Sequence, residues 1–369
     1  MKVTELLSKF DISGRLVLAQ PFGNGNINDT YLAVYRNTFT ETQVILQRVN
    51  SKVFRHPEDI MANMLAVCAH CHRKLEREAD VSDRVWQMPR IVMTKDGSNF
   101  VRDEKGEVWR VITRILSARA FDTAQSPEHA MECGAVLGHF HYLVSDLPTR
   151  RIKDPLPGFH ITPRYLHAYD RTLAKGKHAK SLLSASTEAR RLAKFIEERR
   201  SLASFFTDGV ARGDLKVRMF HGDPKVNNIM IDDFTGKGTA MIDLDTVAPG
   251  LVQVDFGDAI RSICNPAGEE TTNLNAVMLD ETLCAAFCRG YMREAREFMT
   301  DADRESLYDS IRLLTFELGL RFFQDYLAGD VYFKVSHPEQ NLNRARVQFR
   351  LCESIEAREL SIRRLLAAR

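Results

Sequence analysis

Apolar and polar positions alternate through Leu16-Val17-Leu18, from Thr30 to Tyr35 and from Val44 to Val49, the period-two pattern of half-buried strands. Pro21 to Asn28 joins the first two runs and a short polar turn joins the second pair, which predicts a three-stranded antiparallel meander. A helical pattern covers about 57–78, and two more strands are expected around 91–94 and 108–115, with Asp103-Glu104-Lys105-Gly106 as a turn between them. Beyond Leu116 the period lengthens to that of helices. Ser126-Pro127 opens one as a cap residue before Pro, and Ala130, Cys133, Val136, Leu137 and Phe140 follow on one face. Further helices are expected at about 163–175, 186–207, 253–264, 280–299, 303–328 and 339–367, interrupted only by short β-like runs at 217–220, 228–231 and 239–242. The pattern is α+β: an N-terminal antiparallel five-stranded sheet with one helix over 1–117, and a mainly helical C-terminal region over 118–369.

Composition narrows the class. With 369 residues, 44% hydrophobic and 27% charged, the chain is ordinary globular protein, not a disordered one. Lys and Arg number 51 against 49 Asp and Glu, a net charge of +2, so no global footprint for nucleic acid or an anionic membrane is expected. No obligate protein partner is expected either. No apolar run approaches the ~18 residues that span a bilayer, and the first residues lack a signal peptide's apolar stretch. These features predict a cytoplasmic protein. Seven cysteines scattered through helical patterns read as reduced thiols. Cys68-Ala-His-Cys71-His72 spells a haem-attachment string, but Ile60, Met64, Val67, Cys68 and Cys71 recur at helical spacing, which reads as two small buried residues on a helix face.

The strongest chemical signal is His221-Gly222-Asp223-Pro224-Lys225-Val226-Asn227-Asn228, lying between two short strands. It matches the kinase catalytic-loop pattern, in which a carboxylate takes the acceptor hydroxyl proton, a cation sits near the transferred phosphoryl group and an amide oxygen holds Mg²⁺. Asp223, Lys225 and Asn228 are the candidates for those roles. A strand-turn-strand with local Asp and Asn turn bonds is the alternative. A second metal-binding Asp must come from the next hairpin. Asp255-Phe256-Gly257 has the letters of the protein-kinase metal motif but opens a helix, whereas Asp243 ends the apolar run Thr239-Ala240-Met241-Ile242. Asp243 is therefore the metal candidate, with Asp245 as a possible further ligand. Asp255 and Asp258 are expected to cap and buttress a helix beneath the loop.

This combination resembles the aminoglycoside phosphotransferase and choline kinase-like branch of the protein kinase-like superfamily. Gly23 to Tyr31, Ile45 to Asn50, Ile242-Asp243-Leu244-Asp245-Thr246, Asp255 to Asp258 and Arg321 to Phe333 together resemble, in that order, the bacterial N-acetylhexosamine 1-kinases. The resemblance implies a bilobal kinase-like fold with ATP between the lobes, Mg²⁺ as cofactor, and γ-phosphoryl transfer to the anomeric hydroxyl of an N-acetylhexosamine such as GlcNAc or GalNAc. It also implies a nucleotide site at Gly23, Asn24, Gly25 and Asn26, with Gln47 and Ile45 beside it. Gln47 stands where kinases carry the phosphate lysine; alternation points it inward and Arg48 outward. The following helix lacks a central Glu, and Asn63 lies where that partner would be sought. Arg321, Asp325, Asp330 and Tyr332 are the acceptor-site candidates, since Arg and carboxylates suit a polyhydroxylated ring and Tyr can stack on it; a buried Arg321–Asp325 pair joining two helices is the alternative. Kinases of an aminoglycoside, choline or homoserine, and a nucleotide-binding pseudokinase, also remain open.

Overall fold

The computed structural model describes residues 1–23, 28–78 and 84–367. Two compact units divide the chain: one holds Met1–Arg119, Asp146–Pro157 and Met230–Pro249, the other Ala120–Ser145, Gly158–Ile229 and Gly250–Arg369.

The first unit is built on an antiparallel sheet. Helix α1 (Val3–Leu7) precedes β1 (Arg15–Pro21), β2 (Asp29–Arg36) and β3 (Glu41–Val49). Helix α2 (Pro57–Glu78) follows, then β4 (Ile91–Val92), β5 (Val101–Arg102) and β6 (Val108–Thr113). The spatial order is β1-β2-β3-β6-β4, the five expected strands, with the two-residue β5 added on β6. Alternation sorts the side chains by face. Ala33, Tyr35, Val44, Leu46 and Val111 pack with Leu6, Leu7 and Phe10 on one side, while Leu32, Val34, Ile45 and Ile112 form a small cluster on the other. Helix α2 packs against the end of that second face through Ile60 and Met61 on Val49 and Val108. Asn63 meets no carboxylate partner there; its amide accepts from the Lys153 N–H at 3.0 Å and donates to the Lys153 carbonyl at 2.7 Å, pinning the 146–157 segment. Cys68 and Cys71 lie buried on α2, and burial pushes the Cys68 thiol up to about 12. Strand β7 (Ala118–Arg119), absent from the sequence expectation, pairs with Ile231–Asp232.

The second unit is helical: α3 (Pro127–Val144), α4 (Thr162–Lys175), α5 (Lys177–Ala185), α6 (Thr187–Arg199), α7 (Phe205–Arg212), α8 (Val252–Ile263), α9 (Glu281–Ala295), α10 (Asp301–Glu305), α11 (Leu307–Ala328), α12 (Gln340–Ala357) and α13 (Glu359–Ala367), with β8 (Arg218–Phe220) between α7 and α8. Three expected helices are broken, and α5 was not anticipated. The helix expected at 303 starts four residues later because Thr300 and Asp303 form a capping box for the short α10, and Asp303 also takes the buried Arg218 at 2.9 Å. Ser126 caps α3 as expected. The buried α11 packs on α4, α8 and α12. Among the described residues no helix is long and apolar enough to cross a membrane.

Helices α3 and α9 touch backbone to backbone at three glycines, Gly134, Gly138 and Gly290. A Cβ on Gly134 would stand 2.1 Å from the Phe287 carbonyl oxygen, and one on Gly290 would stand 1.9 Å from that of Met131. Replacing Gly290 with Ala forces the helices apart, at a cost of about 1–3 kcal/mol for overpacking. Gly290→Ala is expected to melt below wild type in a thermal scan, whereas Gly213→Asn, at an open αL position, is expected to melt near it.

Candidate active site

The loop from His221 to Asn228 leaves β8 and is folded by its own side chains. Gly222 takes φ +88°, which glycine adopts without steric penalty. Lys225 Nζ donates to Asp223 Oδ2 at 2.6 Å, and the Asn228 amide donates to the Asp223 carbonyl at 2.8 Å and to its carboxylate at 3.2 Å. The three residues that the spacing singled out therefore meet at one carboxylate. By giving its amide hydrogens to Asp223, Asn228 leaves its side-chain carbonyl oxygen as the atom that could hold a metal, a hard donor of the type Mg²⁺ takes.

Asp255 holds this loop from below. It is fully buried in the first turn of α8, and its two oxygens accept the backbone N–H groups of His221 and Gly222. His141 from α3 adds a bond to the same carboxylate at 2.8 Å and is itself fixed by the Tyr291 hydroxyl at 2.9 Å. The buttressing role expected of Asp255 is what the geometry shows.

A second residue also grips the loop, through the Gly222 carbonyl. His160, at φ +53°, directs Nε2 to the Gly222 carbonyl at 3.2 Å and Nδ1 to Glu317 at 2.8 Å. Both partners are pure acceptors, so both ring nitrogens donate and the ring is an imidazolium. Burial alone would push its pKa down; the adjacent Glu317 carboxylate outweighs this and raises it. Thr162 closes the other Glu317 oxygen at 2.6 Å.

Arg321 lies one turn beyond Glu317 on α11. Its guanidinium carbon is framed by the rings of Phe159, Tyr165, Phe333 and Tyr332 at 5.3, 4.9, 5.4 and 6.0 Å, and burial opposes but does not prevent a raised pKa. Asp325 does not pair with it. One Asp325 oxygen accepts the N–H groups of Val331 and Tyr332, the other that of Phe333 and the Asn341 amide. Asp330, also bonded to Asn341, sits in the same loop at φ +56°. Asp325, expected as an acceptor ligand, thus holds the loop amides, and both it and Asp330 accept from Asn341 of α12, while Tyr332 is 67% exposed. Asp258, held below the ordinary carboxylate range by Arg261 and His160 against the upward push of burial, pairs with Arg261 at 2.8 Å.

The remaining candidates belong to the first unit. Gly23 is exposed with φ +77°; Asn24, Gly25 and Asn26 lie outside the described residues. Ile45 is in the small apolar cluster on the sheet, and Gln47, two residues on, shares its face. Arg48 points away and pairs with Asp29 at 2.7 Å, as alternation requires. Asp243 ends the β10 (Gly238–Met241) hairpin, exposed and in the left-handed region at φ +64°. Asp245, the further metal candidate, is buried, ion-paired with Arg110, and accepts from the Asn28 amide at 2.8 Å. Within the first unit the exposed carboxylate of the Asp243–Asp245 turn is that of Asp243, a hard oxygen donor of the type Mg²⁺ takes.

The sequence matches a phosphotransferase enzyme family over residues 19–298, well over half of the chain. The chain belongs to this family. Its fold is similar to an aminoglycoside phosphotransferase from Alicyclobacillus acidocaldarius, with TM-score 0.61 and 16% identity over 99% of this chain and 96% of that one. It is also similar to a microcompartment-associated aminopropanol kinase, with TM-score 0.57 and 17% identity over 98% and 99% of the two chains. A spectinomycin phosphotransferase in complex with ADP and spectinomycin aligns with TM-score 0.51 and 11% identity over 95% and 97%. The bilobal kinase-like fold expected from the sequence is the fold of these proteins.

Sequence reasoning missed His160 and Glu317 beside the Asp223 loop, and, in the first unit, Arg110 beside Gln47. Glu317 could have been found, since it stands four residues before Arg321 on one helix face. Arg110 also leaves a trace, as a cation inside the apolar run Val108 to Ile112. His160 leaves none. A folded-state pKa above the ordinary 6.5 means that the His160 charge stabilises the fold fully below about pH 6.5 and that this contribution is lost as pH rises through the raised value. The melting temperature of His160→Gln should fall furthest below wild type below about pH 6.5, and the gap should narrow as pH rises through the raised folded-state value. A gap of constant size would return the ring to its neutral form.

Proposed function

We propose that this phosphotransferase is an ATP- and Mg²⁺-dependent kinase that moves the γ-phosphoryl group to the anomeric hydroxyl of an N-acetylhexosamine. One observation carries the choice of acceptor: the aromatic frame built in the same unit as the Asp223 loop is filled by the chain's own guanidinium, that of Arg321. An aromatic cage is what a choline-type ammonium needs, and here such a head group would meet a like charge. Polycationic aminoglycosides want an acidic patch, whereas Glu317 and Asp258 are already matched by His160 and Arg261. A neutral polyhydroxylated ring suits the remaining chemistry: guanidinium donors for hydroxyl and acetamido oxygens, and the exposed Tyr332 ring for a sugar's C–H face. The anomeric position rests on the sequence resemblance.

In this reading Asp223 accepts the proton of the attacking hydroxyl as its oxygen forms the bond to the γ-phosphorus and the bond to the ADP oxygen breaks. Lys225 keeps the carboxylate oriented and brings positive charge to the transferred group. Asn228 and Asp243 would hold Mg²⁺, which when bound neutralises charge on the phosphates. Gly23, Asn24, Gly25, Asn26, Ile45 and Gln47 serve the nucleotide. Asp325 and Asp330 act by holding the loop that presents Tyr332. Catalysis is then positioning and electrostatics.

Asp223→Asn is expected to lower kcat by about 10²- to 10⁴-fold with ADP affinity near wild type. Arg321→Met should raise acceptor KM by roughly 10- to 150-fold, the range for hydrogen bonds to a charged group, at unchanged nucleotide affinity. Phosphorus NMR of the product decides the position: N-acetylglucosamine should give a sugar 1-phosphate, the 6-deoxy analogue should react, and the 1-deoxy analogue should only inhibit. Phosphorylation of the 1-deoxy sugar, or faster turnover of choline or an aminoglycoside than of any N-acetylhexosamine, would overturn the proposal.

A further inference from the structure

The first unit contains a buried arginine, at the centre of a polar chain, that the reaction as described does not use. Arg110, on β6, is 1% exposed and lies on the same sheet face as Ile45 and Gln47. Its Nε and Nη2 donate to the Gln47 carbonyl oxygen at 3.1 and 2.8 Å, and its Nη1 donates to Asp245. The other Asp245 oxygen accepts from the Asn28 amide, whose carbonyl accepts from the Asn50 N–H at 3.1 Å. Gln47 reaches on to Thr30 at 3.3 Å. One continuous network thus ties three strands of the sheet to the Asp243-Leu244-Asp245 turn and to Asn28, the residue that closes the Gly23–Ile27 segment.

Two physical points give the network a purpose beyond folding. A buried ion pair stabilises no better than well-packed apolar side chains of similar volume, so retaining one at a cost in desolvation calls for another role. Its anion also stands two residues from Asp243, whose backbone is held in the sparsely populated left-handed region, a conformation that persists only where its surroundings enforce it.

We propose that Arg110 is a positioning residue: paired with Asp245 and bonded to Gln47, it sets the turn that carries Asp243 and the end of the glycine-rich segment in the arrangement that takes Mg²⁺ and nucleotide phosphates. A strand arginine and a turn aspartate here do the work that a strand lysine and a helix glutamate do in protein kinases. The inference rests on Asp243 as a Mg²⁺ ligand, as proposed above.

The test is calorimetric titration of ADP at increasing Mg²⁺, beside thermal melts and acceptor kinetics. Removing one partner strands a buried charge, so the informative variant is the double Arg110→Met, Asp245→Leu, which removes both charges at similar volume. It should melt near wild type and keep its acceptor KM, yet need about tenfold or more Mg²⁺ for half-maximal ADP binding, the loss seen when groups supporting a metal ligand are removed. Arg110→Lys, which keeps the charge but loses the planar fork, should fall between the two and serves if the double variant does not fold. A wild-type Mg²⁺ requirement in either folded variant overturns the inference. So does loss of Mg²⁺-dependent binding in Asp245→Asn with none in Arg110→Met, which would make Asp245 itself the ligand. Wild-type protein that binds ADP with no Mg²⁺ dependence would overturn the proposed function itself.

Discussion

The catalytic loop exists in its shape because one buried carboxylate accepts two of its backbone N–H groups. His221 and Gly222 point their amides at Asp255, and charge-assisted bonds of this kind are the stronger class. Everything that fixes Asp255 therefore fixes the loop. Its place in the first turn of α8, the His141 ring from α3 and the Tyr291 hydroxyl from α9 form a chain of bonds that only closes if α3 and α9 approach as near as Gly134 and Gly290 allow. A packing detail between two helices thus bears on the position of Asp223 through Asp255 and the loop amides.

Charge is handled in the same spirit throughout the second unit. Glu317 is answered by an imidazolium that also grips the Gly222 carbonyl, and Asp258 by Arg261. Arg321 is answered by rings, not by a carboxylate. A guanidinium tolerates this better than an ammonium because it is more weakly hydrated and stacks on aromatic faces. Its planar donors make no carboxylate pair among the described residues, and the proposed preference for a neutral acceptor rests on that one arrangement. The first unit solves its own problem differently, by burying Arg110 between an amide and a carboxylate.

Much of this was legible in the chain. Strands and their alternating faces follow from the period-two pattern, so the inward Gln47 and outward Arg48 could be read directly. The Asp223, Lys225 and Asn228 set was readable because a tight loop brings together residues only a few positions apart. Asp255 could be separated from Asp243 because apolar context marks one as a helix start and the other as a strand end. The helix boundaries at 199, 305 and 357 were not readable, since the capping box at Thr300 and the bond of Asp303 to Arg218 compete with a periodicity that runs on past them.

Local chemistry, then, was determined by the sequence alone: which segment brings Asp223, Lys225 and Asn228 together, which strand positions face which way, and that the fold is α+β. Such features depend on side-chain period and on groups within one turn of each other, where chain geometry leaves few choices. The tertiary structure decided the partners of the buried charges. Asp245 with Arg110, His160 with Glu317 and Gly222, and Asp325 with its loop amides are separated by up to 157 residues. A carboxylate in a sequence looks the same whether it will meet metal, arginine or backbone; only the fold, by removing water and leaving one partner within reach, makes the assignment.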